Sequence, residues 1–162
     1  MKATYRISED DYVNAMKLFY KLSPILIAIF LAVTLVLIGL IVFGSPATQA
    51  GAIGGLAGGA IVLVVGRYII SPIISRQHYR KYKAIHEEMT IELLDDGLRF
   101  FSKNGDGRLI WDNMLKWRQN DKYILIYPMP RLYYVLPKSI ESNGFDVSLL
   151  TSQLAKHVGK PI

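Results

Sequence analysis

The chain of 162 residues contains no cysteine and only three histidines. The first absence excludes disulfide scaffolds, cysteine zinc sites, thiol nucleophiles and iron–sulfur clusters. The histidines add little chemistry. His78 and His86 stand eight positions apart, about 12 Å on a continuous helix, with no carboxylate between them, too far to share one metal. His157 sits near a helix C-terminus, where the dipole favours it. Ser148 and Ser152 lack a spaced acid or base, and Gly105-Asp106-Gly107 reads as a hairpin turn, not a phosphate loop. Glu87-Glu88 and Asp95-Asp96 read as solvated pairs. No catalytic, cofactor or metal residue is assigned, and the chain is read as a non-enzyme.

A third absence is larger. No charged residue occurs from Leu22 to Gly66, a run of 45 positions. A helix of a soluble domain needs a polar face and would interrupt such a run. Pro24 to Phe43 is 20 residues of almost unbroken Ile, Leu, Val, Ala and Phe. At about 1.5 Å per residue it matches the ~30 Å hydrocarbon core of a bilayer. Gly44-Ser45-Pro46 breaks the run, and a second apolar stretch follows from about Gln49 to Ile70. Two spans with a very short turn predict a transmembrane helical hairpin. A signal peptide is the competing reading, but its apolar core is shorter and its leader basic, whereas Glu9, Asp10 and Asp11 stand in this leader.

The bases set the orientation. Lys17 and Lys21 precede the first span, while Arg67, Arg76, Arg80, Lys81 and Lys83 sit at or after the end of the second. The turn between the spans carries no charge. The asymmetry predicts a multi-pass protein with both termini cytoplasmic. These seven bases are expected to anchor at the membrane interface and meet anionic headgroups of the inner leaflet. Arg67 reads as the interfacial end of its span, since neither span holds an acid that could pair with it in a proton path. Ser75 to Glu87 reads as a basic amphipathic connector with Tyr79 and Tyr82 at headgroup level, and Pro72 as a kink or end of the helix before it.

Small residues recur at helical spacing: Gly51, Gly55 and Gly59, the parallel Gly54 and Gly58, and Ala28 with Ala32 in the first span. Such rows let helix backbones approach closely. They pack either the two spans of one hairpin or a homodimer.

From Glu87 onward the texture is β. Met89–Leu94, Leu98–Lys103, Arg108–Trp111, Met114–Gln119, Tyr123–Tyr127 and Leu132–Leu136 are bounded by turn residues (Asp95-Asp96-Gly97, Asn104 to Gly107, Asn120-Asp121-Lys122, Pro128-Met129-Pro130) and predict an antiparallel meander. Leu115 and Trp117 are expected on one face of the fourth strand. A helix capped by Asp146 follows, with Leu149, Leu150, Leu154 and Val158 on one stripe and a stop at Gly159 and Pro161. Near the N-terminus, Thr4–Ile7 reads as a short strand able to join the edge of the later sheet. Ser8 and Asp11 resemble a helix-start capping pair. Lys116, Arg118, Arg131 and one of Tyr133 and Tyr134, here Tyr133, form the candidate ligand or partner surface.

The opening Tyr5-Arg6-Ile7-Ser8-Glu9-Asp10-Asp11-Tyr12 and the two adjacent spans resemble the YcxB-like proteins of bacteria. So do Gly97 through Ile110-Trp111-Asp112-Asn113-Met114, Tyr123-Ile124-Leu125-Ile126-Tyr127 and Leu136-Pro137-Lys138. The resemblance implies a C-terminal domain related to seven-stranded pleckstrin-homology-like (PH-like) barrels and brings no catalytic residues. The expected fold is thus a two-helix membrane hairpin plus a small α+β cytoplasmic domain, an antiparallel PH-like barrel or curled sheet with a C-terminal helix. Its parts are a strand and amphipathic helix (1–21), the hairpin (22–74), the connector (75–86) and the PH-like domain (87–162).

The net charge of +6 then becomes readable. Residues 1–21 carry +1, residues 67–83 carry +5, and residues 84–162 are neutral. The excess lies beside the spans and not on the domain, which excludes nucleic acid as partner. The expected role is a bacterial inner-membrane interaction module presenting its domain to a protein or to anionic lipid. The alternative is a small oligomeric transport or channel component.

Overall fold

A computed structural model of the chain describes residues 1–21, 23–130 and 132–162. The fold comprises two units, Met1–Phe19 with Ser75–Ile162, and Tyr20–Ile74.

In the smaller unit, α2 (Pro24–Phe43) and α3 (Pro46–Val65) form an antiparallel pair. Both begin with the same device. Ser23 and Ser45 accept from the backbone N–H of Leu26 and Thr48, and a proline follows each at the first helical position, where its missing N–H costs nothing. Pro46, expected as part of the break, therefore starts the second helix. No residue of α2 is buried in the chain, and Leu35 is 68% exposed. Two such helices are long and apolar enough to cross a membrane.

Past Val65 the helix widens into a π-turn over Gly66–Ile70 and resumes as α4 (Ser71–Lys81). Of the two outcomes expected at Pro72, a kink or an end, the helix does not end there. Pro72 has no N–H for the carbonyl of Tyr68 and its ring crowds that group. The wide turn just before it, closed by Ser71 N–H to the Gly66 carbonyl, accommodates the misfit.

The larger unit holds all seven strands found among the described residues. Sheet A has the order β1 (Lys2–Tyr5), β2 (Met89–Leu94), β3 (Gly97–Ser102), β4 (Gly105–Ile110); sheet B has β5 (Lys116–Gln119), β6 (Tyr123–Met129), β7 (Leu132–Pro137), all antiparallel. The N-terminal strand does join the later sheet, with Ala3 opposite Ile91. The strands are not one meander. A 3-10 turn, Trp111–Asn113, separates the sheets, and Leu115, expected on the same strand face as Trp117, lies before β5 and is exposed while Trp117 is buried. The turn after β3 is also tighter than expected, because Gly105, Asp106 and Gly107 belong to β4.

One core fills the space between the sheets beneath α5 (Val147–His157), with Ile91, Leu98, Trp117, Ile124, Ile126, Leu136, Leu150 and Leu154 near zero exposure. Asp146 caps α5 through Leu149 N–H at 2.7 Å, as its sequence suggests. Leu149 itself turns outward, and Val147 takes its place in the buried stripe.

A second core lies on the opposite face of sheet B. There α1 (Glu9–Phe19) lays Tyr12, Ala15, Met16 and Leu18 against Tyr123, Leu125, Tyr127 and Val135. Sheet B is covered on both faces, which is why Tyr123 to Tyr127 are buried without alternation. Helix α1 begins with a reciprocal cap: Asp11 N–H donates to Ser8 Oγ, and Ser8 Oγ–H to Asp11 Oδ2 at 2.6 Å. Tyr79, expected at a membrane interface, belongs instead to this core and donates to the Ile7 carbonyl at 2.8 Å.

Candidate functional site

The basic-aromatic surface expected on sheet B is largely turned to structural use. Lys116, Arg118 and Tyr133 do share one face, but α1 covers it. Arg118 Nη1 donates to the carbonyls of Leu18 and Phe19 at 3.1 and 2.8 Å, capping the end of α1. The Tyr133 ring packs 4.9 Å from that of Phe19, and its hydroxyl meets Met16 Sδ. Lys116 Nζ stands 5.4 Å from the Tyr127 ring centroid. Tyr134, on the other face, stacks on Phe100 at 4.2 Å. Arg131 lies outside the described residues.

The space suited to a ligand lies elsewhere in the same unit. The outer edges of β1 and β7 do not pair, and a cleft of about 620 Å³ opens between them. It is bounded by Tyr5, Met89, Leu132 and Val135 from the sheets, Ile7 and Tyr12 from the start of α1, and Tyr82, Ala84, Ile85 and Glu87 after α4. The Tyr5 hydroxyl bridges its floor, donating to the Val135 carbonyl at 3.2 Å. Burial, reinforced by Tyr134, pushes the Tyr5 phenol well above its ordinary range, so it remains a neutral donor. No base lines the cleft among the described residues, and Glu87 is its one acid. Its chemistry suits an apolar or aromatic guest with polar groups for tyrosine hydroxyls. Sequence reading missed this site because its walls come from four separate segments.

The seven bases expected at the membrane interface are all exposed, and Arg76 and Arg80 meet acidic side chains. Arg80 Nε and Nη2 donate to Glu9 at 3.2 and 3.0 Å, and Arg76 lies 3.6 Å from Asp10 and 3.8 Å from Glu9. The hydrogen bond from Arg80 leads in holding the Glu9 carboxyl below its usual range. The acidic start of α1 thus offsets part of the positive segment, a compensation that the segment-by-segment charge tally does not reveal. His86, outside any α-helix, stacks on Tyr79 at 4.4 Å and contacts its carbonyl, so it shares no helical face with His78.

The glycine rows also separate. A methyl group added at Gly55 would meet the Leu37 side chain of α2 at 3.9 Å. At Gly51, Gly54, Gly58 and Gly59 it would meet nothing within 4 Å, and Ala28 and Ala32 are exposed. Most of the small-residue surface is not used within the hairpin.

Residues 93–153 match the model of the YcxB-like protein family. The resemblance read from the sequence is borne out over that segment. No curated protein and no solved structure matches the chain. The YcxB-like segment runs from the end of β2 through β7 and most of α5, so it contains sheet B and the β7 wall of the cleft. The opposite wall, from β1 and α1, is supplied by residues outside it.

Proposed function

We propose that the protein is a membrane-anchored interaction module of the bacterial inner membrane, holding a PH-like domain at the cytoplasmic leaflet for a protein partner. The observation that carries this reading is the pairing of β1 with β2 around an intervening apolar hairpin. Paired strands lie on the same side of a bilayer, and two crossings satisfy that requirement. The charge distribution supports the cytoplasmic side for both termini. A four-stranded and a three-stranded antiparallel sheet followed by one helix support the PH-like reading, although here the sheets remain open at β1 and β7.

The cleft at that opening is the docking region in this reading. Its aromatic lining, with no base among its described residues, favours an extended protein segment over an anionic headgroup. The interfacial bases serve the bilayer instead. The test is a photo-crosslinking amino acid at Ile85, inside the cleft, and at Ala155, on the outer side of α5, in the full chain in native membranes. The expected result is a discrete protein adduct from Ile85 and none from Ala155. Absence of an adduct at Ile85, or the same adducts from both positions, overturns the reading.

A further inference from the structure

We infer that the outer edge of β4 pairs antiparallel with β4 of a second copy of this chain, joining sheet A of the two copies into one continuous sheet. The inference goes beyond the docking role of the cleft and does not depend on it.

Strand β4 lies at the edge of sheet A: it pairs with β3 and, among the described residues, with no other strand. Its outward groups follow from the register. The Trp111 N–H donates to the Asp96 carbonyl at 3.0 Å, so Asp96 and Trp111 form a hydrogen-bonded pair. Bonded and non-bonded pairs alternate in an antiparallel ladder, which makes Leu98 with Leu109 and Phe100 with Gly107 the next bonded pairs. The N–H and C=O groups of Asp106 and Arg108 therefore point away from β3. Among the described residues nothing bonds to them. The other sheet edges are already in use. On β1 the Thr4 carbonyl accepts from Asn143 Nδ2 at 3.2 Å, and on β5 the Trp117 carbonyl accepts from the Ile162 N–H at 3.1 Å. On β7 the Val135 carbonyl accepts from the Tyr5 hydroxyl at 3.2 Å. Strand β4 has no such cover, and no proline or register shift interrupts it.

Charge identifies the occupant. A two-fold axis through Gly107 sets Asp106 opposite Arg108 of the second copy, and Arg108 opposite its Asp106. These are the residues whose backbone groups face outward, so each pair exchanges both of its backbone bonds and also opposes unlike charges. An axis through Asp106 or Arg108 would instead set like charges together. The two side chains lie on the outer face of sheet A, Asp106 54% and Arg108 58% exposed. Each is already held in place: Arg99 Nε and Nη2 donate to Asp106 at 3.0 and 2.6 Å, and Arg108 donates to Asp96. Across the axis the order becomes Arg99 and Asp106 of one copy, then Arg108 and Asp96 of the other, alternating in sign. An unrelated strand would have to match this pattern, whereas a second copy carries it by symmetry.

The test uses the full chain in detergent, with its mass read by light scattering. The wild type is expected to form dimers. Asp106→Lys and Arg108→Glu are each expected to weaken self-association about tenfold or more, because each sets like charges opposite one another on both sides of the axis. Mixed in equal amounts, the two variants again oppose unlike charges, and dimers are expected to return. A monomeric wild type, a dimer that Asp106→Lys leaves intact, or a mixture that stays monomeric overturns the inference. Crosslinking covers the case of a charge variant that fails to fold, and the absence of native cysteine makes it direct. Non-bonded residues in such a ladder have Cα atoms about 4.5 Å apart, within disulfide reach. A Cβ at Gly107 would stand 3.8 Å from the Tyr134 hydroxyl, an ordinary contact. Under mild oxidation Gly107→Cys is expected to give a disulfide-linked dimer, whereas Gly105→Cys, set opposite Leu109 of the second copy, is not. No linked dimer at 107, or as much at 105, overturns the inference as well.

Discussion

The Tyr123 hydroxyl donates to Asp11 Oδ1 at 2.7 Å, joining the first turn of α1 to β6 across 112 positions of sequence. Partial burial acts to raise the Asp11 carboxyl, but the bonds from Ser8 and Tyr123 outweigh it and hold the group below its ordinary value. Burial, with the bond to Asp11, pushes the Tyr123 phenol up to about 12 from an ordinary 10.0. The two shifts stabilise the fold over different ranges. The Asp11 contribution is present above its ordinary 3.8 and is lost as pH falls through the depressed folded value. The Tyr123 contribution is present below 10.0 and is lost as pH rises toward about 12. Tyr123→Phe is expected to cost about 1–3 kcal/mol near neutral pH. It should also flatten the alkaline limb of stability against pH, measured by denaturant unfolding of the detergent-solubilised chain.

Gly97 faces β4 with no room for a side chain. A methyl group there would stand 2.2 Å from the Leu109 carbonyl oxygen and 2.7 Å from Ile110 Cα, both backbone atoms that cannot rotate away. Gly97→Ala is expected to destabilise the domain by about 1–3 kcal/mol, the range for forcing an extra methyl group into packed structure. Gly105→Ala, with only the Ser102 hydroxyl at 3.9 Å, serves as control and should unfold at nearly the wild-type temperature.

Removing the cap at the end of α1 should loosen that helix before anything else. Arg118→Ala leaves the Leu18 and Phe19 carbonyls without its guanidinium, a loss of about 1–3 kcal/mol for charge-assisted bonds. Hydrogen exchange in the last turn of α1 is expected to quicken about tenfold or more, with α5 unchanged. Equal acceleration in both helices would mean that the substitution acts on the whole unit.

The two sides of α3 should respond differently to bulk. Gly55→Leu meets Leu37 and is expected to lower the thermal stability of the hairpin, while Gly58→Leu, facing open space, is not. Scanning fluorimetry of both variants in one detergent distinguishes them.

Much of the larger unit was legible because turn chemistry is local. Asp96-Gly97, Asn120 and Asp146 each mark a boundary by their own backbone preferences, and the strands fall between them. The division into two sheets was not legible. Nothing in Trp111-Asp112-Asn113 announces a corner, and the turn forms because Trp111 is buried with its indole N–H on the Asp95 carbonyl. Long-range service also escaped the sequence. Arg118 looked like a surface base because its partners at Leu18 and Phe19 lie about a hundred positions away. Tyr79 looked interfacial for the same reason, since its place in the core is made by Ile7 and Tyr12. The cleft was invisible because it is a gap between edges, and periodicity describes only what is paired.

The pairing of β1 with β2 also carries a consequence for the order of events during synthesis. Thr4 must wait for Thr90, its partner 86 positions later, and at about 5–20 residues per second that is a delay of several seconds. In the proposed topology the whole hairpin is made and inserted within that interval. A chain with only one helix across the bilayer would leave β1 and β2 on opposite sides and could not close sheet A. Completion of the domain would then act as a check on insertion, with misinserted chains left carrying an unfinished sheet that quality-control proteases can recognise.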